Sequence, residues 1–370
     1  MTATGRPAPA DRPRTPRPPA PARPPQGGLL LVDKPAGRTS HDVVGRVRWL
    51  LGTRRVGHAG TLDPMATGLL LVAVDRATRL LGHLALTDKQ YLATVRLGRA
   101  TDTDDADGTV LPPDDPAAVA AALRVVTDAQ LTAGTAALTG ALLQVPSSVS
   151  AIKVAGRRAY DRVRAGETVE LAARPVTVHR FQIVAPPRRL TLPAAGVSAT
   201  GGTEPVEVID LDVVVDCTTG TYVRALARDL GRALGVGGHL TALRRTRVGP
   251  FTLDGAASVF DPAVPGPDDP DVADGSLGRA LVASMLTPEQ VARTTFPVRV
   301  LTAHEAAGLR HGRPVTPTGR AGTVAALLPT TPDGSSPTRG SGTAQAGEQL
   351  IALLADSDGA ARSVLGWAAG

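Results

Sequence analysis

The order of apolar and polar residues predicts alternating strands and helices in the first part of the chain. Unbroken apolar runs at 28–32 and 69–74 are typical of buried strands, and alternation over 91–97 predicts a strand with one exposed face. Between the first two runs, apolar residues recur at helical spacing up to Gly52, and Ser40 can cap this helix at its start. The expected order is strand, helix, strand, strand.

Further along the chain the same mixture continues. Asp107-Gly108 is a strong hairpin-turn signal, and helical patterns cover 117–123 and 128–138. A long apolar strand is predicted at 206–217, followed by a helix at 225–234 with leucines on one face and a glycine stop. Shorter strand-like runs follow at 298–301, 323–328 and 350–354. These last runs predict a small β-rich module at the C-terminal end.

Changes in composition mark the expected segments. Residues 1–27 combine Pro, Ala and Arg without apolar periodicity, and cannot bury enough surface to offset the entropy of ordering. A disordered basic arm is therefore expected there. Residues 28–260 hold the strong periodic patterns and are predicted to form one domain, interrupted by a Pro- and Gly-rich surface insertion at 186–204.

A second change in composition separates the C-terminal part. Residues 261–292, which begin with a Pro- and Asp-rich stretch, are expected to be a linker and connecting segment. Residues 293–370 are expected to form a small domain of their own. Within it, the Ser-, Thr-, Gly- and Pro-rich stretch 330–347 predicts a mobile loop.

The net charge is positive but unevenly distributed. Lys and Arg outnumber Asp and Glu by 40 to 34, which gives +6 at pH 7 and a pI near 10.2. Residues 28–100 and 151–250 each carry +6, whereas 101–150 carry −6. Only three of the cations are lysines, and arginine stays charged and forks well onto phosphate. This pattern favours a polyanionic partner such as nucleic acid.

Several classes of protein are disfavoured by the composition. No apolar run reaches the roughly 18 residues of a membrane span, and the first residues lack the apolar core of a signal peptide, so a cytoplasmic protein is expected. Cys217 is the only cysteine, which excludes an intramolecular disulfide and a Cys-rich zinc site. The aspartates of 102–107 resemble a calcium loop, but their spacing is wrong, and a hairpin tip is the better interpretation.

The loop before the second apolar run holds the most candidate functional residues. It reads Gly57-His58-Ala59-Gly60-Thr61-Leu62-Asp63-Pro64-Met65-Ala66-Thr67-Gly68. An isolated Asp-Pro pair is more often a helix cap. Here glycines and a histidine surround it, and glycines allow a large ligand to approach the backbone. Loops of this kind present functional groups on a rigid base.

This loop resembles the catalytic motif of the bacterial tRNA pseudouridine-55 synthases, the TruB family. Four further stretches match in the same order: Gly28-Leu-Leu-Leu-Val-Asp-Lys-Pro35, Asp88-Lys-Gln-Tyr91 with Thr101-Asp-Thr-Asp104, Pro146-Ser-Ser-Val-Ser-Ala-Ile-Lys153, and Gly220-Thr-Tyr-Val-Arg-Ala-Leu226 with Gly238-His-Leu-Thr-Ala-Leu-Arg-Arg245. The resemblance covers roughly residues 28–260. It implies an α+β catalytic domain on a large, mainly antiparallel sheet, with a small β-rich C-terminal domain of PUA type.

The resemblance also implies which residues act. Asp63 is the expected catalytic carboxylate, and Arg224 the partner that keeps it ionised in a dry pocket. Tyr91 is expected to stack on the target uracil and to help move a sugar proton. If the chain is extended at Tyr222 and Arg224, their side chains share a face. The residues expected to bind substrate are Tyr222, Leu243, His58, Lys34, Lys153 and Arg244.

The implied reaction is the isomerisation of one uridine, at position 55 in the TΨC loop of tRNA, after the base is flipped out. It requires no cofactor, metal or protein partner, and a monomer is the default expectation. Two alternatives remain open. One is a synthase that acts on another RNA, or a catalytic subunit that depends on a guide RNA and partner proteins. The other is a noncatalytic RNA-binding or RNA-folding module.

Overall fold

The computed structural model describes residues 18–147, 171–193, 205–260, 274–330 and 347–367, together with the backbone of 153–154 and 157–158. Most of the predicted arm, part of the predicted insertion and linker, and nearly all of the predicted mobile loop lie outside these ranges. None of the helices within them is both long and apolar enough to cross a membrane.

The described residues form strands and helices in alternation. In chain order the strands are β1 Gly28–Lys34, β2 Val56–Ala59, β3 Thr67–Val74, β4 Lys89–Leu97, β5 Ala100–Thr101, β6 Val110–Leu111, β7 Gly140–Gln144, β8 Lys153–Val154, β9 Arg157–Arg158, β10 Arg174–Ile183, β11 Arg188–Leu192, β12 Val206–Cys217, β13 Gly238–Val248, β14 Phe251–Thr252, β15 Val298–Val300, β16 Val324–Thr330, β17 Gly347–Ser357 and β18 Ala360–Gly366. The α-helices are α1 Ser40–Leu51, α2 Leu81–Leu84, α3 Pro116–Val125, α4 Asp128–Ala137, α5 Val223–Ala233, α6 Ser276–Ala283, α7 Pro288–Thr295 and α8 Ala303–Arg310.

The main sheet has ten strands, with the central order β1-β3-β13-β4-β12-β10-β7. Strand β2 pairs with β3, β11 with β12 and β14 with β13. Every pairing is antiparallel except the short parallel contact of β13 with β3. This confirms the expected large, mainly antiparallel sheet. The predicted strand 206–217 is β12, at the centre of it.

The C-terminal part forms a second sheet of four strands, in the order β15-β16-β17-β18. The first pair is parallel and the others are antiparallel. The predicted small β-rich domain is therefore confirmed. The three apolar runs found in the sequence correspond to β15, β16 and β17.

Helix α1 follows the predicted apolar spacing, with its buried residues on one face. Its cap differs from the prediction, because Thr39 rather than Ser40 is the N-cap. The Thr39 side chain accepts from the Asp42 amide, and the Asp42 side chain accepts from the Thr39 amide, which forms a capping box. Gly52 ends the helix in the left-handed conformation, with φ 66°. The Ser40 hydroxyl is thereby left available for another partner.

Two apolar cores lie between the main sheet and the helices that cover it. One holds α3, α4 and α5 against β4, β12 and β13, with Leu226 and Leu230 fully buried. The other holds α1 and α6 against β1 and β3. The sheet therefore acts as a rigid base beneath the loop that carries Asp63.

A third core joins the two sheets. Leu29, Leu69 and Leu71 of the main sheet contact the same cluster as Leu327 and Trp367 of the C-terminal sheet. The C-terminal sheet has its own small core on its other face. The C-terminal domain is therefore fixed to the main sheet by shared apolar contacts.

Some segments predicted as irregular contain regular structure. Strand β11 lies inside the predicted surface insertion and pairs with β12, although it stays largely exposed. Helices α6 and α7 occupy the described part of the predicted linker. Residues 18–27 of the predicted arm lie against the domain, where Arg23 donates to Asp75 at 3.1 Å and Pro18 is buried. Contacts with distant parts of the domain hold these segments, including the burial of Leu281 in α6 and Val291 in α7.

Candidate active site

The loop between β2 and β3 is fastened to α1 through one hydroxyl. Ser40 accepts a hydrogen bond from the Leu62 amide at 2.9 Å, and donates to the Leu62 carbonyl at 3.2 Å. Gly60, with φ 74°, makes the turn into the loop, a conformation that favours glycine. The backbone that leads into Asp63 is thereby held in place at Leu62.

Lys34 fastens the other side of this loop. Its ammonium is fully buried and donates to three carbonyl oxygens, that of Pro64 at 3.2 Å among them. Burial lowers the pKa of Lys34 to about 8, against the favourable charge of Asp63. Since this side chain has no exposed surface, it can orient the loop but cannot contact an RNA backbone directly.

Asp63 and Arg224 form an ion pair across 161 positions of the chain, with Nη2 of Arg224 donating to Oδ1 of Asp63 at 3.0 Å. The same guanidinium donates through Nη1 to Oδ2 of Asp105 at 3.0 Å and to the Thr103 carbonyl at 3.0 Å. The Asp105 side chain is only 5% exposed, whereas that of Asp63 is 35% exposed. Arg224 thus joins a sealed carboxylate to one that is open to solvent.

The second carboxylate comes from the predicted hairpin tip. Strands β5 and β6 form the hairpin, and the tip is held by its own hydrogen bonds, from the Asp107 amide to Oδ1 of Asp105 at 3.1 Å among them. The Leu240 amide of β13 donates to the Asp104 carbonyl at 3.0 Å, which docks the tip on the main sheet. The acidic run is therefore part of the site, as well as a turn.

A cavity of about 280 Å³ opens beside Asp63. Its described lining residues come from the 60–63 loop, the ends of β4 and β13, and the start of α5: Gly60, Thr61, Leu62, Asp63, Lys89, Tyr91, Thr219, Gly220, Thr221, Tyr222, Val223, Arg224, Leu243 and Arg245. Four residues expected to act together, Asp63, Tyr91, Tyr222 and Leu243, therefore meet at one place. Its mixed walls, aromatic and aliphatic with a few charged groups, suit a planar polar ring.

The pKa values of Asp63 and Tyr91 both shift upward, because the surrounding protein removes water from each group. Burial raises the pKa of Asp63, while the guanidinium of Arg224 opposes the rise and the charge of Asp105 adds to it. Burial also raises the pKa of Tyr91, which stands opposite Arg245 in the pairing of β4 with β13. The phenol of Tyr91 therefore stays protonated at neutral pH. A carboxylate and a protonated phenol on the wall of one cavity can act as proton acceptor and proton donor.

The prediction that Tyr222 and Arg224 share a face required the chain to be extended at both residues, and it is not. Tyr222 is extended and is the N-cap of α5, and Arg224 lies in the first helical turn. The backbone of Tyr222 is held by Gln144, whose side chain accepts from its amide at 2.8 Å and donates to its carbonyl at 3.1 Å. Both side chains still reach the cavity, because the helix begins at its edge.

Two other predicted residues, His58 and Arg244, have their partners outside the lining of the cavity. His58 is half-buried on β2, edge-on to His41 with ring centroids 5.5 Å apart, and burial lowers its pKa to about 4. Arg244 pairs bidentately with Asp33, at 2.7 and 3.1 Å. Only the backbone of Lys153, in β8, is described. The structure therefore brings neither His58 nor Arg244 to the described wall of the cavity.

Three residues of the site were missed in the sequence: Asp105, Lys89 and Arg245. Arg245, and not its neighbour Arg244, lines the cavity. In the pairing of β13 with β4, Arg245 stands opposite Tyr91 and Arg244 stands opposite Leu92. Successive residues on a strand point to opposite faces, so counting two from Leu243 would have selected Arg245. Lys89 stands two before Tyr91, and the same count would have found it. Nothing local marks Asp105.

The fold is found again in solved structures of two larger complexes. The structure of an H/ACA RNP bound to a substrate RNA containing 2′-deoxyuridine matches with a TM-score of 0.58, at 20% identity, over 93% of this chain and 86% of that one. A Cbf5-Nop10-Gar1 complex matches with a TM-score of 0.56, at 22% identity, over 89% and 78%. These two structures share the fold of this chain.

Family models and relatives define the protein more closely. Residues 48–223 match the model of the TruB family pseudouridylate synthase N-terminal domain, and 224–260 and 296–336 match two C-terminal models, of tRNA pseudouridylate synthase B and tRNA pseudouridine synthase II. The chain belongs to the TruB family of pseudouridylate synthases, as its motifs indicated.

Relatives named tRNA pseudouridine synthase B match most of the chain. That of Nocardia farcinica (strain IFM 10152) is 54% identical over 84% of this chain and 88% of its own. Those of Arthrobacter sp. (strain FB24) and Thermobifida fusca (strain YX) are 49% and 52% identical, over 91% and 82% of this chain and 95% and 91% of their own. The chain thus spans nearly the whole length of each of these relatives.

Proposed function

We propose that this protein converts the uridine at position 55, in the TΨC loop of tRNA, into pseudouridine. The observation that carries the proposal is the Asp63–Arg224 pair, in which the carboxylate faces a cavity walled by Tyr91. The name that relatives in three bacteria share, tRNA pseudouridine synthase B, supports tRNA as the substrate class. The choice of position 55 rests on the resemblance of the motifs.

The reaction exchanges one glycosidic bond for another. The bond between N1 of uracil and C1′ of the ribose breaks, and its electron pair stays with N1. The ring turns within the cavity, a new bond joins C5 to C1′, the hydrogen leaves C5, and N1 gains a proton. Atoms and electrons balance without an oxidant, a reductant or a second substrate.

Asp63 is proposed to act at C1′. A carboxylate can stabilise the positive charge that develops on the sugar, or add to C1′ covalently, as carboxylates do in glycoside hydrolysis. Arg224 orients the carboxylate, and its positive charge favours the anion and opposes the rise in the pKa of Asp63. Asp105 holds the opposite edge of the same guanidinium.

Tyr91, Tyr222 and Leu243 are proposed to bind the uracil ring, with Tyr91 stacked on it and able to assist a proton transfer. Taking the base out of a folded loop costs a few kcal/mol, which stacking on aromatic faces offsets. His58, uncharged at neutral pH because burial lowers its pKa to about 4, would enter the space that the base leaves. Lys153 and Arg244 would contact the RNA, and Lys34 orients the loop.

The catalytic unit is proposed to be residues 28–260, since every proposed site residue lies within it. The protein is further proposed to act in the cytoplasm as a monomer on tRNA alone. The test is to incubate the purified protein with an unmodified tRNA transcript carrying tritium at C5 of its uridines. About one tritium per tRNA should be released, and a transcript with cytidine at position 55 should release none.

The same assay separates this proposal from its alternatives. A subunit that depends on a guide RNA and partner proteins would release no tritium from bare transcript. A synthase for another site would release it equally from the cytidine variant. A noncatalytic RNA-binding module would bind tRNA and leave it unchanged. Any of these three outcomes contradicts the proposal.

RNA binding should weaken steeply with salt, because phosphate contacts release counterions. With several such contacts, affinity should fall by roughly 10³-fold or more between 50 and 200 mM salt. The measurement is a filter-binding titration at four salt concentrations. A flat profile would contradict binding of RNA through the basic segments of the catalytic unit.

A further inference from the structure

Two cations line the cavity without a carboxylate partner among the described residues. Arg245 has no exposed surface, and its guanidinium donates to the carbonyls of Leu69 at 2.7 Å and Gly60 at 2.9 Å. Lys89 is 5% exposed, and its ammonium donates to two further carbonyls, at 3.0 and 2.6 Å. Both positive charges are therefore held in place by neutral groups.

This arrangement differs from that of the other buried guanidinium of the site. Arg224 has two carboxylates within 3.0 Å, those of Asp63 and Asp105. A buried charge usually has such a partner, because removing it from water is costly. Lys89 and Arg245 also repel each other, and burial together with this repulsion lowers the pKa of Lys89 to about 8. The fold maintains two like charges side by side at a cost.

The two cations and Asp63 lie on the wall of the same cavity. Gly60 stands between them, since a Cβ on it would lie 3.3 Å from Nη1 of Arg245 and 3.5 Å from Cε of Lys89. Arg245 also stands opposite Tyr91, the residue proposed to stack on the base, in the pairing of β13 with β4. The unneutralised positive charge is thus next to the proposed position of the uracil ring.

The proposed reaction produces a negative charge at this position. When the bond from N1 to C1′ breaks, its electron pair leaves with the base, and the charge spreads over N1, O2 and O4. This holds whether Asp63 adds to the sugar or only stabilises it. We propose that Lys89 and Arg245 form a subsite that binds the uracil anion between bond cleavage and bond formation. This inference rests on the proposed function.

The pair and Asp63 then have complementary tasks. The carboxylate stabilises the electron-poor sugar carbon, and the two cations stabilise the electron-rich base. Fixed charges directed at charge that develops in the transition state lower its energy without reorganisation. The cations also keep the free base in the cavity while it turns, since no bond holds it to the RNA at that stage.

The first test is the rate of the chemical step in Lys89→Met and Arg245→Met, measured in a single turnover with enzyme in excess over tRNA. Each change should slow pseudouridine formation by roughly 100-fold, with tRNA Kd within about twofold of wild type. Arg245→Lys, which keeps the charge, should lose less than Arg245→Met. Arg247→Met removes a guanidinium from the same strand that pairs with Asp216, and should keep the wild-type rate.

The second test varies the leaving base. Fluorine at C5 makes uracil more acidic, so that its anion needs less help from the protein. On tRNA with 5-fluorouridine at the target, the rate at which this nucleoside disappears from nuclease digests reports bond cleavage. The defect of both methionine variants should shrink to about tenfold on this substrate. A loss of rate that came only from a disturbed fold would be the same on both substrates.

Three results would overturn the inference. Wild-type cleavage rates in both methionine variants would show that the charges are not used. A weaker tRNA Kd with a shallower salt dependence, at an unchanged rate, would show that the pair binds a phosphate of the RNA instead. An equal defect on both substrates would assign the residues to the fold. Wild-type protein that forms no pseudouridine would overturn the proposed function itself, and this inference with it.

Discussion

Asp63 shares Arg224 with Asp105, and the two acids differ in what surrounds them. Asp105 is sealed within the hairpin tip, while Asp63 keeps one side open to the cavity. The raised pKa of Asp63 means that burial disfavours its charge more than Arg224 favours it. The site therefore holds a carboxylate that is more basic than an ordinary aspartate, as is common for groups that act in catalysis.

Asp63→Asn should abolish the reaction while leaving the fold intact or slightly more stable. Because the pKa of Asp63 is raised in the folded protein, its contribution to stability is present at low pH and lost as pH rises through that pKa. Asparagine carries no charge and therefore avoids this loss of stability, and Arg224 retains its ion pair with Asp105. Tritium release should fall below detection, and the Tm at pH 7 should be unchanged or up to about 3 °C higher. Activity within tenfold of wild type would contradict the role of Asp63.

Asp105→Asn should impair both the fold and the chemistry. Arg224 would lose one charged partner in a buried place, at about 2 kcal/mol of stability, and its hold on Asp63 would loosen, with a rate loss of about 10- to 100-fold. Asp102→Asn is the matched control, because Asp102 lies in the same tip but accepts from the Thr109 amide at an exposed position. Urea unfolding and single-turnover rates measure the two effects. Equal behaviour of the two variants would contradict this account.

The same change should alter the pH profile. The charge of Asp105 raises the pKa of Asp63, and its loss leaves the field of Arg224 less opposed. The acid limb of kcat/KM, which reports the free enzyme, should therefore lie above the usual range for aspartate in the wild type and move to lower pH in Asp105→Asn. A limb that stays in place, or moves upward, would show that another group controls it.

Elements, not isolated residues, set the distances in the site. Helix α5 carries Arg224 and lies directly on the start of β13, the strand that carries Leu243 and Arg245. Gly231 makes this contact possible, since a Cβ there would lie 2.2 Å from the backbone of Gly237. The helix and the strand therefore approach at backbone distance, and the position of Arg224 depends on that approach.

Gly231→Ala should separate α5 from β13 and weaken the site. The methyl group meets backbone and cannot be accommodated by a side-chain rotation, so a cost of about 3 kcal/mol is expected, with a rate loss at Arg224. Gly45→Ala is the matched control, since it also lies within a helix but has open space at its Cβ, and should add about 0.5–1 kcal/mol of stability. Thermal unfolding of both proteins tests the difference. A Gly231→Ala protein as stable as wild type would contradict the close approach.

The sequence predicted the helices and strands of the site better than the contacts between them. Apolar periodicity and glycine stops located α1, β12 and most of α5, because those signals are local. The docking of the hairpin tip on β13 depends on a contact between Asp104 and Leu240, which are far apart in the chain. No local pattern encodes it. Asp105 was therefore assigned to a turn alone, and Arg244 was chosen where the alternation of β13 favours Arg245.

At the scale of the molecule, the two sheets share a core and should unfold together. Trp367 is 2% exposed in that core, with the guanidinium carbons of Arg76 and Arg79 at 5.5 and 5.9 Å from its ring. Composition indicated a C-terminal domain of its own, since Pro- and Asp-rich residues precede it. Shared burial cannot be read from composition, because it depends on which faces of the two sheets meet.

Trp367→Ala should lower the stability of the whole protein by about 3–5 kcal/mol, through the cavity it leaves between the sheets. Calorimetry should show one transition in the wild type and a lower Tm in the variant. Val364→Ala, in β18 just before Trp367 and 50% exposed, should change the Tm by less than about 2 °C. Two well-separated transitions in the wild type would contradict the shared core.

The shared core also limits how the protein can be shortened. A fragment that ended after β14 would leave Leu29, Leu69 and Leu71 uncovered on one face of a ten-stranded sheet. Bare aliphatic surface of this kind promotes self-association. Recombinant work on the catalytic unit should therefore retain the C-terminal strands, which shield that face from other copies.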